Sequence, residues 1–138
     1  SYTGNPVACA AGLASLDLLL QAETQQQINR ISGRHAAFAS RFKSMPKVTG
    51  VRQQGTILAI EFEADGTSYF NKLGDTLYSF ALEQGVILRP LGNIIYVIPP
   101  YCITDEQLDQ VYQTIQGMQE LLTGDRYFEP PIQTTLHD

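Results

Sequence analysis

An α+β fold, with helices on one face of a small antiparallel sheet, follows from three observations on this 138-residue chain. Two helix-patterned segments open it, their apolar residues recurring at helical spacing. Period-two segments follow, joined by connections short enough for antiparallel pairing. Further helix-patterned segments are interleaved with them, which makes layered helices over a sheet the natural packing. At 43% hydrophobic and 17% charged, the chain can fill one compact core but not two. The regular part runs over 1–124, and 125–138 reads as an irregular tail.

Asn5-Pro6 starts the first helix, with Asn as N-cap and Pro at the first helical position. Ala8, Ala11, Leu13, Leu16, Leu19 and Leu20 keep a helical rhythm, and the small residues among them favour close packing. Cys9, within this helix, is expected to be a small buried residue. The second helix is expected from about Glu23 to about Ser44, with Ile28, Ile31, His35, Phe38 and Phe42 on one stripe and Pro46 closing it. Strands are expected at Val48–Gln53 and Thr56–Glu63, with Gly55 as the turn or bulge between them. In the second of these, Leu58, Ile60 and Phe62 alternate with Ile57, Ala59 and Glu61, so one face is mostly buried. A third helix should span about Tyr69 to Gln84, with Phe70, Leu73, Leu77, Phe80 and Ala81 inward and Gly85 as its stop. Val86–Arg89 and Ile94–Ile98 read as a hairpin about Gly92-Asn93. Thr104-Asp105-Glu106-Gln107 is a capping box stapled by Ile103 and Leu108, and opens a last helix to about Gly124.

A formal net charge of -5 with only nine Lys+Arg argues against a nucleic-acid face. No basic run would seek an anionic membrane, and no apolar run is long enough to span one. No charged-then-apolar leader reads as a signal peptide. Opening on Ser1 in mid-motif suggests a piece of a longer chain. Cys9 and Cys102 form no disulfide framework and no metal-ligand cluster, so a reducing cytoplasm is the default. His35 and His137 have no nucleophile-and-acid arrangement around them in sequence and read as helix-face and tail residues. The acids Asp105, Glu106 and Asp109 suit the dipole of a helix start. There is no G-x-G-x-x-G and no phosphate-binding loop.

The segment Leu88-Arg89-Pro90-Leu91-Gly92-Asn93-Ile94-Ile95-Tyr96-Val97-Ile98-Pro99-Pro100-Tyr101 carries the candidate chemistry. Arg89 stands at the mouth of an apolar segment with no acid nearby in sequence. Its planar fork of donors matches two carboxylate oxygens. By spacing alone, an arginine at a strand end is more often a solvated surface residue. Tyr96 is by the same standard a half-buried hairpin aromatic. The Pro-Pro step ends sheet pairing, since neither proline donates to a ladder.

This wording resembles the C-terminal region of the fold-type I, class III aminotransferases that use pyridoxal phosphate. A second stretch agrees: Ser1-Tyr2-Thr3-Gly4-Asn5-Pro6, continued by Cys9-Ala10-Ala11, is similar to that family's Thr-aromatic-x-Gly-(Asn or His)-Pro segment. The resemblance covers nearly the whole chain except the tail. It implies the α+β architecture of the small C-terminal domain. It implies that Arg89, in the family's R-P-x-G motif, pairs with the substrate carboxylate, and that Tyr96 lies near the substrate. Ser1 takes the place of a hydroxyl residue that binds the cofactor phosphate of the neighbouring subunit in a homodimer, with Ser for the usual Thr. Small-molecule substrates are implied, with neither nucleic acid nor membrane as partner. Lys43, Lys47 and Lys72 sit in nothing like the family's cofactor-lysine context, so no catalytic residue is expected here. The chain should be silent alone.

Within the family, the wording is nearest the branch serving biotin synthesis, which moves an amino group from S-adenosylmethionine to 8-amino-7-oxononanoate. Ending the motif Pro-Pro-Tyr rather than Pro-Pro-Leu favours that branch over class III enzymes acting on an ω-amino acid or diamine. A reading from another class is a non-catalytic α+β module that binds amino acids or mediates association.

Overall fold

The computed structural model describes residues 3–64 and 72–128. Its elements are α1 (Pro6–Leu19), α2 (Ala22–Phe42), β1 (Val48–Gln54), β2 (Ile57–Phe62), α3 (Lys72–Glu83), β3 (Ile94–Val97) and α4 (Asp105–Thr123). The strands form one antiparallel sheet in the order β1-β2-β3. Gly55, at φ 54°, is the first residue of the two-residue turn between Gln54 and Ile57. A positive φ there, followed by an ordinary one, is the pattern of a type II′ hairpin turn.

The alternation in β2 sorts the two faces of the sheet. Leu58, Ile60 and Phe62 are fully buried, as is Ile95 of β3. Against them pack Ile31, Phe38 and Phe42 of α2, Leu77 and Phe80 of α3, and Leu108, Ile115 and Met118 of α4. Each such side chain contributes about 1.5–3 kcal/mol through removal from water. The register aligns Arg52, Ala59 and Tyr96 on the opposite face. Helices on one face of a small antiparallel sheet is therefore the observed fold class.

The helix ends follow from local chemistry. At α4, Thr104 accepts from the Gln107 backbone N–H (3.3 Å), while Gln107 Oε1 accepts from the Thr104 N–H (3.0 Å). That is the expected capping box. At the end of α3, the Gly85 N–H donates to Leu82 O and the Val86 N–H to Ala81 O, both at 2.9 Å, with Gly85 at φ 74°. The two bonds make a Schellman motif, which only a residue comfortable at positive φ closes without strain. The expected start of α3 near Tyr69, and its inward Phe70, lie outside the described residues.

Two expectations are corrected. Val86–Arg89 is not a strand. It has no ladder partner, and the hairpin shrinks to a single bridge, Leu91↔Ile94. Leu91 and Ile94 exchange both backbone bonds (2.8 and 3.1 Å) across Gly92 at φ 62°. Pro90 then holds φ near about −65°, far from the antiparallel value, and takes the chain off the ladder. The sheet consequently has three strands.

Cys9 is exposed, not buried. The reason is α1 as a whole, which has no buried residue. Val7, Leu13, Leu18 and Leu20 are 77%, 64%, 58% and 69% exposed. The helix leaves the body at a 70° bend from α2. A helix apolar all round belongs in an interior, and the residues that would enclose this one are not among those described. No single described helix is long and apolar enough to cross a membrane.

Beyond α4, the chain turns back onto α3. Phe128 meets Phe80 edge-on (5.4 Å between centroids), and the Arg126 guanidinium lies over the same ring (4.9 Å). A Cβ on Gly117 would stand 2.8 Å from Phe80 and 2.7 Å from Arg126, so the glycine admits this packing.

Candidate functional site

Arg89 is exposed, between buried Leu88 and half-buried Pro90. Continuing the Leu91↔Ile94 register would set it opposite Tyr96, but the ladder ends first. Among the described residues, no hydrogen bond or ion pair engages the Arg89 guanidinium. Two arginines of α2 are engaged by acids: Arg30 pairs with Asp105, and Arg34 with both Asp105 (3.2 Å) and Asp109. The contrast leaves Arg89 available to an outside carboxylate. Tyr96 is half-buried on the face of the sheet turned away from the core, beside Ala59.

The turn joining these two residues is tied to the body. Asn93 Nδ2 donates to Phe62 O (2.7 Å), and the Phe62 N–H donates to Asn93 O (3.0 Å). Thus β2, the most buried strand, fixes the turn that follows Arg89. Sequence reading took Gly92-Asn93 only as a turn and did not see this clamp. The signal lay in Asn itself, whose side-chain amide can donate where Gly or Asp cannot.

Ser1 lies outside the described residues. Next to it, Asn5 Oδ1 accepts from the Val7 and Ala8 N–H groups (2.9 and 3.3 Å), and the Cys9 N–H already donates to Asn5 O. Pro6 has no N–H to give. The dipole at the start of α1 still favours an anion, but its backbone donors are committed, so direct phosphate bonds would have to come from residues ahead of the helix.

Lys43 and Lys47 line none of the described clefts. Lys47 pairs with Glu63 (2.6 Å), and Lys43 is exposed at the end of α2. Two described clefts lie elsewhere. One of about 530 Å³ sits between the α1–α2 elbow and Tyr101-Cys102, and one of about 310 Å³ lies along Thr56-Ile57 and Ile98–Tyr101. Neither is lined by Arg89 or Tyr96. No group of three or more His, Cys, Asp or Glu fit for a metal occurs among the described residues.

His35, expected on the apolar stripe of the second helix, is fully buried on that face of α2. Its Nδ1 meets the Tyr112 hydroxyl at 2.7 Å and its Nε2 meets Thr56 O at 3.2 Å. Burial lowers its pKa, with the Thr56 carbonyl opposing. Burial also pushes the Tyr112 phenol up to about 12. A protonated phenol donating to Nδ1 and an Nε2–H donating to Thr56 satisfy the neutral ring completely. This is a core device rather than a catalytic pair.

The family described as Aminotransferase class-III matches residues 1–118. An adenosylmethionine-8-amino-7-oxononanoate aminotransferase of Synechococcus elongatus is 39% identical over 118 residues, covering 86% of this chain and 27% of the relative. Gamma aminobutyrate transaminase 1, mitochondrial, of Solanum lycopersicum is 30% identical over 116 residues, covering 80% and 22%. Among solved structures, the adenosylmethionine-8-amino-7-oxononanoate aminotransferase of Methanocaldococcus jannaschii superposes with a TM-score of 0.71 at 28% identity, over 85% of this chain and 29% of that one. An omega-aminotransferase from Paracoccus denitrificans superposes at 0.76 over 90% and 29%, with 23% identity, and speaks for the fold alone. The chain thus spans about a quarter of the length of the relatives it matches.

Proposed function

Because this chain belongs to the class-III aminotransferase family, we propose that the protein carrying it transfers an amino group from S-adenosylmethionine to 8-amino-7-oxononanoate, giving 7,8-diaminononanoate for biotin synthesis. The observation that carries the choice of reaction is the 39% identity to a relative of that name. The chain supplies the small domain of a cytoplasmic homodimer, and the cofactor lysine belongs to the rest of the protein. Pyridoxal phosphate, when bound, supplies the electron sink for amino transfer.

The residues of this chain act around that chemistry. Arg89, with no acidic partner among the described residues and followed by an anchored turn, binds the carboxylate of the keto acid through two parallel N–H···O bonds. The pair selects the carboxylate-bearing acceptor and fixes its distance from the reacting ketone. Tyr96, half-buried on the open face of the sheet, shapes the wall beside it. Ser1 offers a hydroxyl to the cofactor phosphate across the dimer. The test is to measure the two half-reactions separately in the full-length protein. Efficient amination of 8-amino-7-oxononanoate by the donor-charged enzyme is expected, and its failure alongside turnover of another keto acid would overturn the substrate assignment.

The relative named for gamma aminobutyrate supports a second reading within the same class, an enzyme for an ω-amino acid or diamine. Arg89 would then meet the carboxylate of a shorter substrate. Turnover of γ-aminobutyrate without turnover of S-adenosylmethionine would favour it. A purely non-catalytic module has only the chain's small size in its favour.

A further inference from the structure

Arg89 belongs to no ladder, yet the chain on each side of it is fixed. Ahead of it, Val86 and Leu88 are buried in the core. Behind it, the turn is clamped to β2 by the paired bonds between Asn93 and Phe62. A third contact comes from α3. Its first turn approaches so closely that a Cβ on Gly74 would stand 3.1 Å from Gly92 O and 3.7 Å from Pro90 Cβ. Glycine weakens a helix relative to alanine, and Gly74 lies within one. Its role is therefore found in the contact, where any larger residue would press on a backbone carbonyl.

We infer that Gly74 and Asn93 are positioning residues for carboxylate recognition: together they seat the Pro90–Asn93 turn between α3 and β2 and thereby set the place of the Arg89 guanidinium. The inference rests on the reading of Arg89 as the carboxylate partner. A bidentate pair tolerates little displacement, and a misplacement of about 1 Å far from the chemistry can reduce rate by roughly a hundredfold. Asn93 prevents the turn from lifting off β2. Gly74 prevents it from being pushed away by α3. Neither side chain needs to touch substrate.

The experiment uses the full-length protein loaded with pyridoxal phosphate, with the S-adenosylmethionine half-reaction as internal reference. Gly74→Ala and Asn93→Ala should each lower kcat/KM for 8-amino-7-oxononanoate by roughly tenfold or more, chiefly through KM, while the donor half-reaction changes less than about twofold. Asn93→Asp, which keeps the shape but loses the donor, should behave like Asn93→Ala. In an Arg89→Ala background the same substitutions should have little further effect, since their action runs through Arg89. Equal losses in both half-reactions, or losses that add fully to that of Arg89→Ala, would show a general structural role and overturn the inference. Normal kinetics in Gly74→Ala and both Asn93 variants would overturn it as well, with the Arg89 reading left standing. An Arg89→Ala enzyme with unchanged keto-acid handling overturns the Arg89 reading itself and the inference with it.

Discussion

At Arg89, a charge has no acidic partner among the described residues. Asp105 and Asp109 of α4 are taken by Arg30 and Arg34, and Glu61 lies nearest Arg52 (3.7 Å). Removing one member of a desolvated charge pair typically costs about 2–5 kcal/mol. Arg89→Ala should therefore weaken the keto-acid half-reaction of the full-length protein by that amount, with the cofactor still bound. Arg89→Lys should recover only part, since an ammonium cannot form the paired geometry. Separate half-reaction kinetics check both. His35 gives a second prediction, on stability. Its folded pKa is lowered, so below its ordinary value near 6.5 the unfolded chain binds the extra proton more readily than the native one. Stability from this group is complete above about pH 6.5 and declines as pH falls through that value toward the folded pKa. His35→Gln should flatten that part of a denaturation-versus-pH profile. Arg89 and Tyr96 could be singled out in sequence because their motif is local. The His35–Tyr112 contact could not, since 77 positions separate the two and only the packing of α2 on α4 joins them.

At the scale of elements, the well-read parts were those whose signals are completed within a few residues. The capping box of α4, the Schellman end of α3 and the glycine turn between β1 and β2 each close on themselves. Thr104→Ala should thus lower stability by about 1 kcal/mol, seen as a lower denaturation midpoint. The misread element was Val86–Arg89. Its alternating burial, with Val86 and Leu88 inside and Ile87 81% exposed, matches that of a strand. Whether an extended segment joins a ladder depends on a neighbour's register, which alternation does not encode. Gly117 belongs at this scale too. In sequence it is a weak point in a helix, but in the fold it admits Phe80 and Arg126. Gly117→Ala should destabilise by roughly 1–3 kcal/mol through overpacking, despite improving helix propensity, and calorimetry would show which effect wins.

For the molecule as a whole, the described residues make a two-layered core, helices over one sheet, but leave an apolar helix uncovered. Patches of that kind mark surfaces that are normally covered, and the chain's span of about a quarter of its relatives agrees with a missing larger body. The isolated chain should bind hydrophobic dyes and self-associate. A strictly monomeric chain with no dye response would count against this. Mixed with pyridoxal phosphate, it should transfer no amino group, and borohydride should trap no stoichiometric cofactor on one lysine. Sequence reading placed α1 correctly along the chain but misjudged Cys9, because helical rhythm reports that a segment will be buried and not by whom. The elbow between α1 and α2 has a practical corollary for anyone handling this protein. Since no side chain of α1 enters the core, the hydrophobic nucleus of the described residues is built from Gln21 onward. Expression from Gln21 should give a soluble, freely tumbling body with an unchanged melting temperature. The first 20 residues would then behave as a detachable adhesive strip, whose stickiness could be moved to another scaffold or trimmed away at will.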